Sequence, residues 1–530
     1  MHNSASVPPT QSSSPDTGNN TTITATPSSS ATLNHTATPA PSDTSASITV
    51  SPTVTAKPTA TVKPTATVKP TAAPTAKPDR KKPILESFSS GSADKLVVSL
   101  DWSKTQYGFT NPKLSLTDSG TEAGKGLKVT LPDKKAQCQN LDLEGSKVND
   151  AFNSQRDYFR LWINNTSDVT LNLAIVLIGD GYGAYAARNA MLTSYTGTVT
   201  VLSTSDISKM GKGTHSSVEI PPYFKGWLAF DAQKTIPYHD NPRLKDTTTV
   251  NKITVDVRCT PNGEAGYVID ELGFYSSPSG KAQSFDLRSS LKGGSEVKAS
   301  LVQVGKMSGP HNTWLQGGAS DGKYYYQAFV NPHGDTEVTT LAKFDIKANK
   351  ILERFPELAL DHCNDITYNS RLKQFVVCHN KPNYSTLSFL NGTTLEVVAT
   401  KKIGYDIFSI EYNQDKNQYV VGLSGGQSFR ILDADFNPVA GPFRPTSKTE
   451  GCTNQCVTTD GDHIYFLFYK PNTVAVYDWS GNFVSVIDIG INNDTMEPES
   501  MAFVNGKLYI NFGTFYQLYT RLYVVDAIIK

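Results

Sequence analysis

The chain has 530 residues, and its 49 Lys and Arg are balanced by 49 Asp and Glu. It is long enough for more than one core, and it has no net charge to favour phosphate backbones or anionic lipid, so nucleic acid is not an expected partner. No apolar run approaches the ~20 residues that cross a bilayer as a helix, so no membrane span is expected in this chain.

Residues 1–83 are almost wholly Thr, Ser, Pro and Ala, with Thr-Ala-Thr-Val-Lys-Pro repeating around Lys57, Lys63 and Lys69. Such a stretch cannot bury enough apolar area to offset its ordering entropy, which predicts a disordered, extended Thr/Ser/Pro-rich linker. This is also the composition of glycosylated stalks on secreted proteins. Met1 to Asn20 lacks a basic region followed by an apolar one. The expectation is therefore a secreted or cell-surface protein whose signal or anchor is not in this chain.

From residue 84 to about 280, short alternating apolar runs are separated by Gly, Asn, Asp and Pro. Runs such as Tyr158 to Ile163, Thr170 to Ile178, Gly226 to Phe230, Lys252 to Val257 and Tyr267 to Tyr275 read as strands of a β-sandwich. On the run from Tyr158, alternation sets Phe159, Leu161 and Ile163 on one face and Tyr158, Arg160 and Trp162 on the other. The second face offers either a ligand platform or a second core layer. Trp102 and Trp227, flanked by apolar residues, read as core. Tyr182 and Tyr185 sit in the Gly-rich stretch from Gly179 to Asn189, where a loop would expose rings suited to stacking on a sugar.

Four segments carry a resemblance. Glu86-Ser87-Phe88, Tyr158 to Asn165, Ile220 to Trp227 and Val268 to Tyr275 resemble the jelly-roll carbohydrate-binding modules of the family 11 and galactose-binding-like type. That resemblance implies polysaccharide or a surface glycan as partner, bound through Tyr182, Tyr185, Arg160, Trp162 and Tyr158. It also implies a structural calcium held by Glu86 and Asp270, although Ser89 stands where those modules carry a second acidic residue.

In residues 284–530, the turn residues Asp321, Asn369, Asn413, Asp460 and Asn505 recur about every 45 residues, each followed by strand-like runs. That period predicts a five-bladed β-propeller, with Val297 to Gly305 supplying the strand missing from the last repeat. The whole is thus expected to be all-β: linker, jelly-roll β-sandwich, propeller. The repeats resemble extracellular propellers of the gluconolactonase and YVTN type, a group of mixed function.

Propeller sites form where the innermost strands begin, which nominates Trp314 and Gln316, His362, Asn364 and Asp365, Asp406 and Ser409, Asn454 and Gln455, and Glu497 and Glu499. These residues either bind a ligand or solvate a channel. If the chain is an enzyme, a glycoside hydrolase or polysaccharide lyase would use Asp365 and Glu499 as its carboxyl pair. Otherwise it is a non-catalytic glycan-binding or adhesion protein, or a scaffold taking a protein partner on the propeller face. Of the six Cys, Cys363 and Cys378 are expected to form a disulfide across a hairpin, and Cys452 and Cys456 a shorter loop. Free buried thiols are the alternative reading.

Overall fold

The computed structural model describes residues 84–86, 88, 97–99, 112–121, 124–131, 137–154, 157–179, 184–202, 217–237, 249–259, 265–291, 293–310, 313–331, 337–491, 496–514 and 519–529. The linker, Trp102 and Tyr182 lie outside these residues, as do the side chains of Glu86, Tyr185, Cys138 and Cys259. The chain divides into a unit of residues 1–75 and a second of residues 76–530, which holds everything below. It is an all-β fold, and among the described residues no helix is long and apolar enough to cross a membrane.

The first part is a sandwich of thirteen strands: β1 (Ile84–Glu86), β2 (Val97–Ser99), β3 (Lys113–Asp118), β4 (Lys125–Leu131), β5 (Gln137–Glu144), β6 (Tyr158–Asn165), β7 (Leu171–Gly179), β8 (Ala184–Ser194), β9 (Val199–Val201), β10 (Val218–Ile220), β11 (Lys225–Pro237), β12 (Val250–Cys259) and β13 (Ala265–Tyr275). Ten of them pair in the order β2-β5-β12-β7-β8-β11-β6-β13-β4-β3, and a short helix α1 (Ser146–Ser154) follows β5. β8 pairs with β7 through its first residues only and with β11 along most of its length, so it links the two sides of the strand order. Alternate residues of the β5-β12-β7 side, such as Leu141, Val255 and Ile175, meet those of the β6-β13-β4 side, such as Leu161, Ile269 and Val129, in one buried cluster. Phe159, Leu161 and Ile163 all lie in that cluster, on the face their alternation assigned them.

The second part begins with the short helix α2 (Leu287–Ser290) and the long strand β14 (Ser295–Ser308). Four antiparallel quartets follow. They are β15 to β18 (Trp314–Ser320, Tyr325–Asn331, Val338–Asp345, Lys350–Leu358), β19 to β22 (Asp365–Asn369, Gln374–Cys378, Thr386–Asn391, Val397–Lys402), β23 to β26 (Ile407–Asn413, Gln418–Leu423, Ser428–Asp433, Pro438–Phe443) and β27 to β30 (Thr453–Thr459, His463–Tyr469, Thr473–Asp478, Phe483–Asp488). The last three strands, β31 (Met496–Val504), β32 (Lys507–Thr514) and β33 (Tyr519–Ile529), take β14 as their fourth. β14 runs antiparallel to β33, pairing Lys298 with Ile529 through Ser308 with Tyr519. The expected closing strand is therefore present, three residues longer at its C-terminal end and two at its N-terminal end than the apolar run from Val297 to Gly305.

The quartets ending in β18, β22 and β26 leave that last strand mostly exposed, which is the gradient of a propeller-like ring, whereas β30 is partly covered by β14. The first strands pack side by side in the closed cycle β15, β19, β23, β27, β31 and back to β15. The recurring turn residues lie where the first strand gives way to the second, and four of the five share one device. A side-chain oxygen of Asp321, Asn369, Asn413 and Asp460 accepts the backbone N–H groups two and three residues on, which fixes the turn locally.

Candidate functional site

The start of the five innermost strands forms one end of the ring, where each strand is tied to the next. Gly317 donates its N–H to the Cys363 carbonyl at 3.2 Å, joining β15 to the start of the second quartet. Asn364 Nδ2 donates to the Phe408 carbonyl, and Ser409 Oγ donates to Asn454 Oδ1 at 2.7 Å. Gln455 Nε2 donates to Glu497 Oε1 at 2.7 Å. The cycle closes through Ser500, whose hydroxyl donates to Gln327 Oε1 at 2.8 Å and meets the Tyr325 hydroxyl at 2.9 Å. Gly317 and Gly318 permit this approach, because a Cβ at Gly317 would lie 2.6 Å from Asp365 Cα and one at Gly318 2.9 Å from Ser500 Oγ.

Asp365 is fully buried, and its carboxylate belongs to the wall of the ring rather than to the space inside it. Oδ1 accepts the Ile366 N–H at 2.9 Å, and Oδ2 accepts the N–H groups of Ile410 at 3.0 Å and Val457 at 3.1 Å. Burial drives its pKa well above the ordinary carboxylate value, and the three amides pull it back. Both oxygens being committed to backbone on three strands, Asp365 is corrected from a candidate acid or base to a tie between quartets.

Three further carboxyl groups lie on the innermost strands, Glu411 on β23 and Glu497 and Glu499 on β31. Glu411, which the sequence reading missed, accepts from Thr367 Oγ1 at 2.5 Å on one neighbouring strand and from Thr458 Oγ1 at 3.2 Å on the other. A carboxyl group reached from both flanking innermost strands sits within the ring, and its burial there raises its pKa to about 7. The available signal was a single acid inside the strand Ile407 to Asn413, a position that an all-apolar strand would not spare. Gln327, an amide set between Tyr325, Tyr326, Ala328 and Phe329 in β16, carried the same signal. Burial and then Glu497 drive the Glu499 pKa well up, whereas Glu497, raised by burial, is held back by Gln455 and Lys470.

Around this rim, His362 Nδ1 lies 3.0 Å from Glu337 Oε2, and Asn380 Nδ2 donates to Asn364 Oδ1 at 2.8 Å. Asp406 is exposed and Gln316 half-buried. Trp314, the first residue of β15, is 58% exposed, the most exposed ring among the large apolar residues described.

Neither expected disulfide is present. Cys363, Cys378, Cys452 and Cys456 are all free and buried. Cys363 has a left-handed φ of 46° and packs with Tyr326, Phe375 and Leu395 on one side of the second quartet, whereas Cys378 packs with Ile407 and Val421 on the other. The hairpin does bring the backbones together, since Asn364 N–H donates to the Cys378 carbonyl at 3.0 Å, but the thiols point away from each other. Cys452 and Cys456 are divided between two clusters in the same way. Burial, then Asp365, Glu499 and Glu411, pushes the Cys456 thiol well up.

In the sandwich, the face bearing Arg160 and Trp162 is closed, which corrects their assignment to an open platform. Trp162 is 1% exposed, donates its indole N–H to the Ser119 carbonyl at 3.0 Å and meets the Trp227 ring edge-on at 5.2 Å. The Arg160 guanidinium lies 3.6 Å from the Tyr275 ring centroid and 4.6 Å from that of Trp227, and its Nη1 donates to the Ser279 carbonyl at 2.6 Å. Tyr158 is half-buried at the end of β6, and Trp227 is buried, as its apolar flanks implied. Tyr185 lies within β8 rather than in a loop. Asp270 is fully buried and accepts from Thr121 Oγ1 at 2.6 Å and from the Glu271 N–H at 2.7 Å. Among the described residues no group of three or more metal-ligating side chains is present.

No protein family matches this chain, and no curated protein sequence does. Several solved structures are similar to part of this chain. Glutaminyl cyclase of Myxococcus xanthus is 14% identical over 44% of this chain and 100% of its own, with a TM-score of 0.36. The β-propeller domain of Cps50 (Swd1) from Myceliophteria thermophila is 7% identical over 42% of this chain and 99% of its own, with a TM-score of 0.27. The Pan2 WD40 domain of Neurospora crassa is 9% identical over 43% of this chain and 97% of its own, with a TM-score of 0.24. The propeller-like ring described above rests on its own strand pairing.

Proposed function

We propose that this chain is a secreted or cell-surface glycan-binding protein that takes its ligand at the channel mouth of a five-bladed propeller. The closed cycle of five first strands supports the blade count, and the two-layer strand order supports a jelly-roll sandwich beside it. The Thr/Ser/Pro composition of residues 1–83 supports an extracellular tether.

One observation carries the glycan reading. Trp314 offers a solvent-facing ring at the start of β15, two residues before Gln316, and the Gln455–Glu497 and His362–Glu337 pairs lie at or near the starts of other innermost strands. A sugar needs an apolar ring beneath its C–H face and hydrogen-bonding groups around its hydroxyls, and this rim supplies both. Binding of the full chain to a glycan array identifies a probe, and titration calorimetry then compares Trp314→Ala with wild type. Loss of one stacking ring is expected to cost about 1–3 kcal/mol, tenfold or more in affinity. Wild-type affinity in that variant would overturn the site and return attention to Tyr182 and Tyr185.

A second reading is favoured by Glu497 and Glu499. Both carboxyl groups lie on β31 and both are raised by burial, Glu499 further by Glu497, which would suit Glu499 to the role of an acid. On that reading the channel performs acid–base chemistry, glycoside hydrolysis or elimination being the classes that fit. Turnover of an array-positive glycan, abolished by Glu499→Gln, separates it from simple binding.

A further inference from the structure

The ring is closed by a strand from its far end in sequence, and the sandwich touches the molecule at that closure. β14 lies between two strands: Ser295 to Lys298 pair in parallel with Ser485 to Asp488 of β30, and from Lys298 onward β14 pairs with β33. The fourth and fifth quartets thereby become one eight-stranded sheet with β14 at its seam.

Each of the three seam strands receives a bond from the sandwich. On β30, Asp488 Oδ2 accepts from the Tyr223 hydroxyl at 2.9 Å. On β14, Ser300 Oγ accepts the Lys225 N–H at 3.3 Å. On β33, the Asp526 carboxylate accepts the Thr196 N–H at 3.1 Å and also the Thr196 hydroxyl. Asp526 and Ser300 are buried, so losing these partners would leave polar groups without water to replace them. Tyr223 is itself buried, and burial with Asp488 keeps its hydroxyl protonated as a donor. It fits against Gly490, where a Cβ would stand 2.5 Å from the ring, and under the Lys298 ammonium at 4.9 Å.

We propose that the sandwich is the clasp of the ring: it fastens the seam strands and so holds in place the quartet whose first strand carries Glu497 and Glu499. Joining the two ends of a long segment carries a loop-closure entropy cost, and a neighbouring domain that presents β14 already aligned reduces it. These bonds all go to the fourth and fifth quartets. The two parts therefore act as one device, and the acidic wall of the channel depends on a domain that does not line it.

The test is amide hydrogen exchange on the full chain carrying Thr196→Val together with Tyr223→Phe. Exchange is expected to quicken about tenfold or more in β14 and β31 to β33, with β19 to β22 and the β7 and β12 strands of the sandwich unchanged. Unchanged protection of the seam would overturn the proposal, as would an equal loss in β19 to β22. If the double variant does not fold, Asp526→Asn provides the same comparison, keeping the volume and one acceptor while weakening the Thr196 contacts.

Discussion

The carboxylate of Asp365 accepts the backbone N–H of Val457 at 3.1 Å, although the two residues lie on innermost strands two quartets apart in the chain. Together with the Ile366 and Ile410 amides, this fixes three consecutive innermost strands on one side chain. Asp365→Ala would leave three buried donors unpaired, and the expected loss is about 3–5 kcal/mol of stability. Chemical denaturation followed by far-ultraviolet circular dichroism reads it. A midpoint within error of wild type would show that the wall does not depend on this tie.

Arg160 is expected to matter for folding and not for binding. Its guanidinium lies between the Tyr275 and Trp227 rings and donates to the Ser279 carbonyl, so Arg160→Ala removes two ring contacts and a charge-assisted hydrogen bond. A loss of about 2–4 kcal/mol is expected, with glycan affinity of the folded fraction unaltered. An affinity loss without a stability loss would restore Arg160 to a ligand platform.

All four described thiols are expected to resist alkylation in the folded protein and to react in denaturant, since each is buried. Non-reducing peptide mapping should recover Cys363 and Cys378 in separate peptides. A linked peptide would contradict the opposed packing of the two side chains.

Glu411 makes stability fall as pH rises. Its folded pKa of about 7 lies above the ordinary 4.5, so the folded state binds the proton more tightly than the unfolded state does. The stabilisation is complete below about pH 4.5 and is lost as pH rises through about 7. Glu411→Gln, which keeps an oxygen for Thr367 or Thr458, should flatten that part of the profile. A slope identical to wild type between pH 5 and pH 7.5 would assign the effect to other groups.

Much of the ring was legible because its period is written in local chemistry. Asp321, Asn369, Asn413 and Asp460 each fold a turn onto their own side-chain oxygen, so residue identity and turn position coincide. The core face of β6 was legible for the same reason, alternation being a local property. What covers the other face is not local: Trp227, Tyr275 and Ser279, which enclose Arg160, come from segments far along the chain. The same limit explains Asp365 and Cys363. Spacing identified polar and thiol groups near the strand starts, but the left-handed backbone at Cys363 and the amides of two other quartets decide where those side chains go.

The seam between β14 and β30 has a further consequence, for how the molecule meets its own copies in solution. An outermost strand presents unpaired N–H and C=O groups, a template on which another chain can add. Two quartets have no such template, because their outermost strands are each other's partners. β26 is blunted by Pro438 and by Pro442, the latter in a cis bond after Gly441, and β18 is interrupted by Pro356. That leaves β22, with Val397 and Val398 exposed and no proline, as the least guarded border of the ring, and Lys401 and Lys402 at its end supply the charge that discourages stacking of one ring upon another.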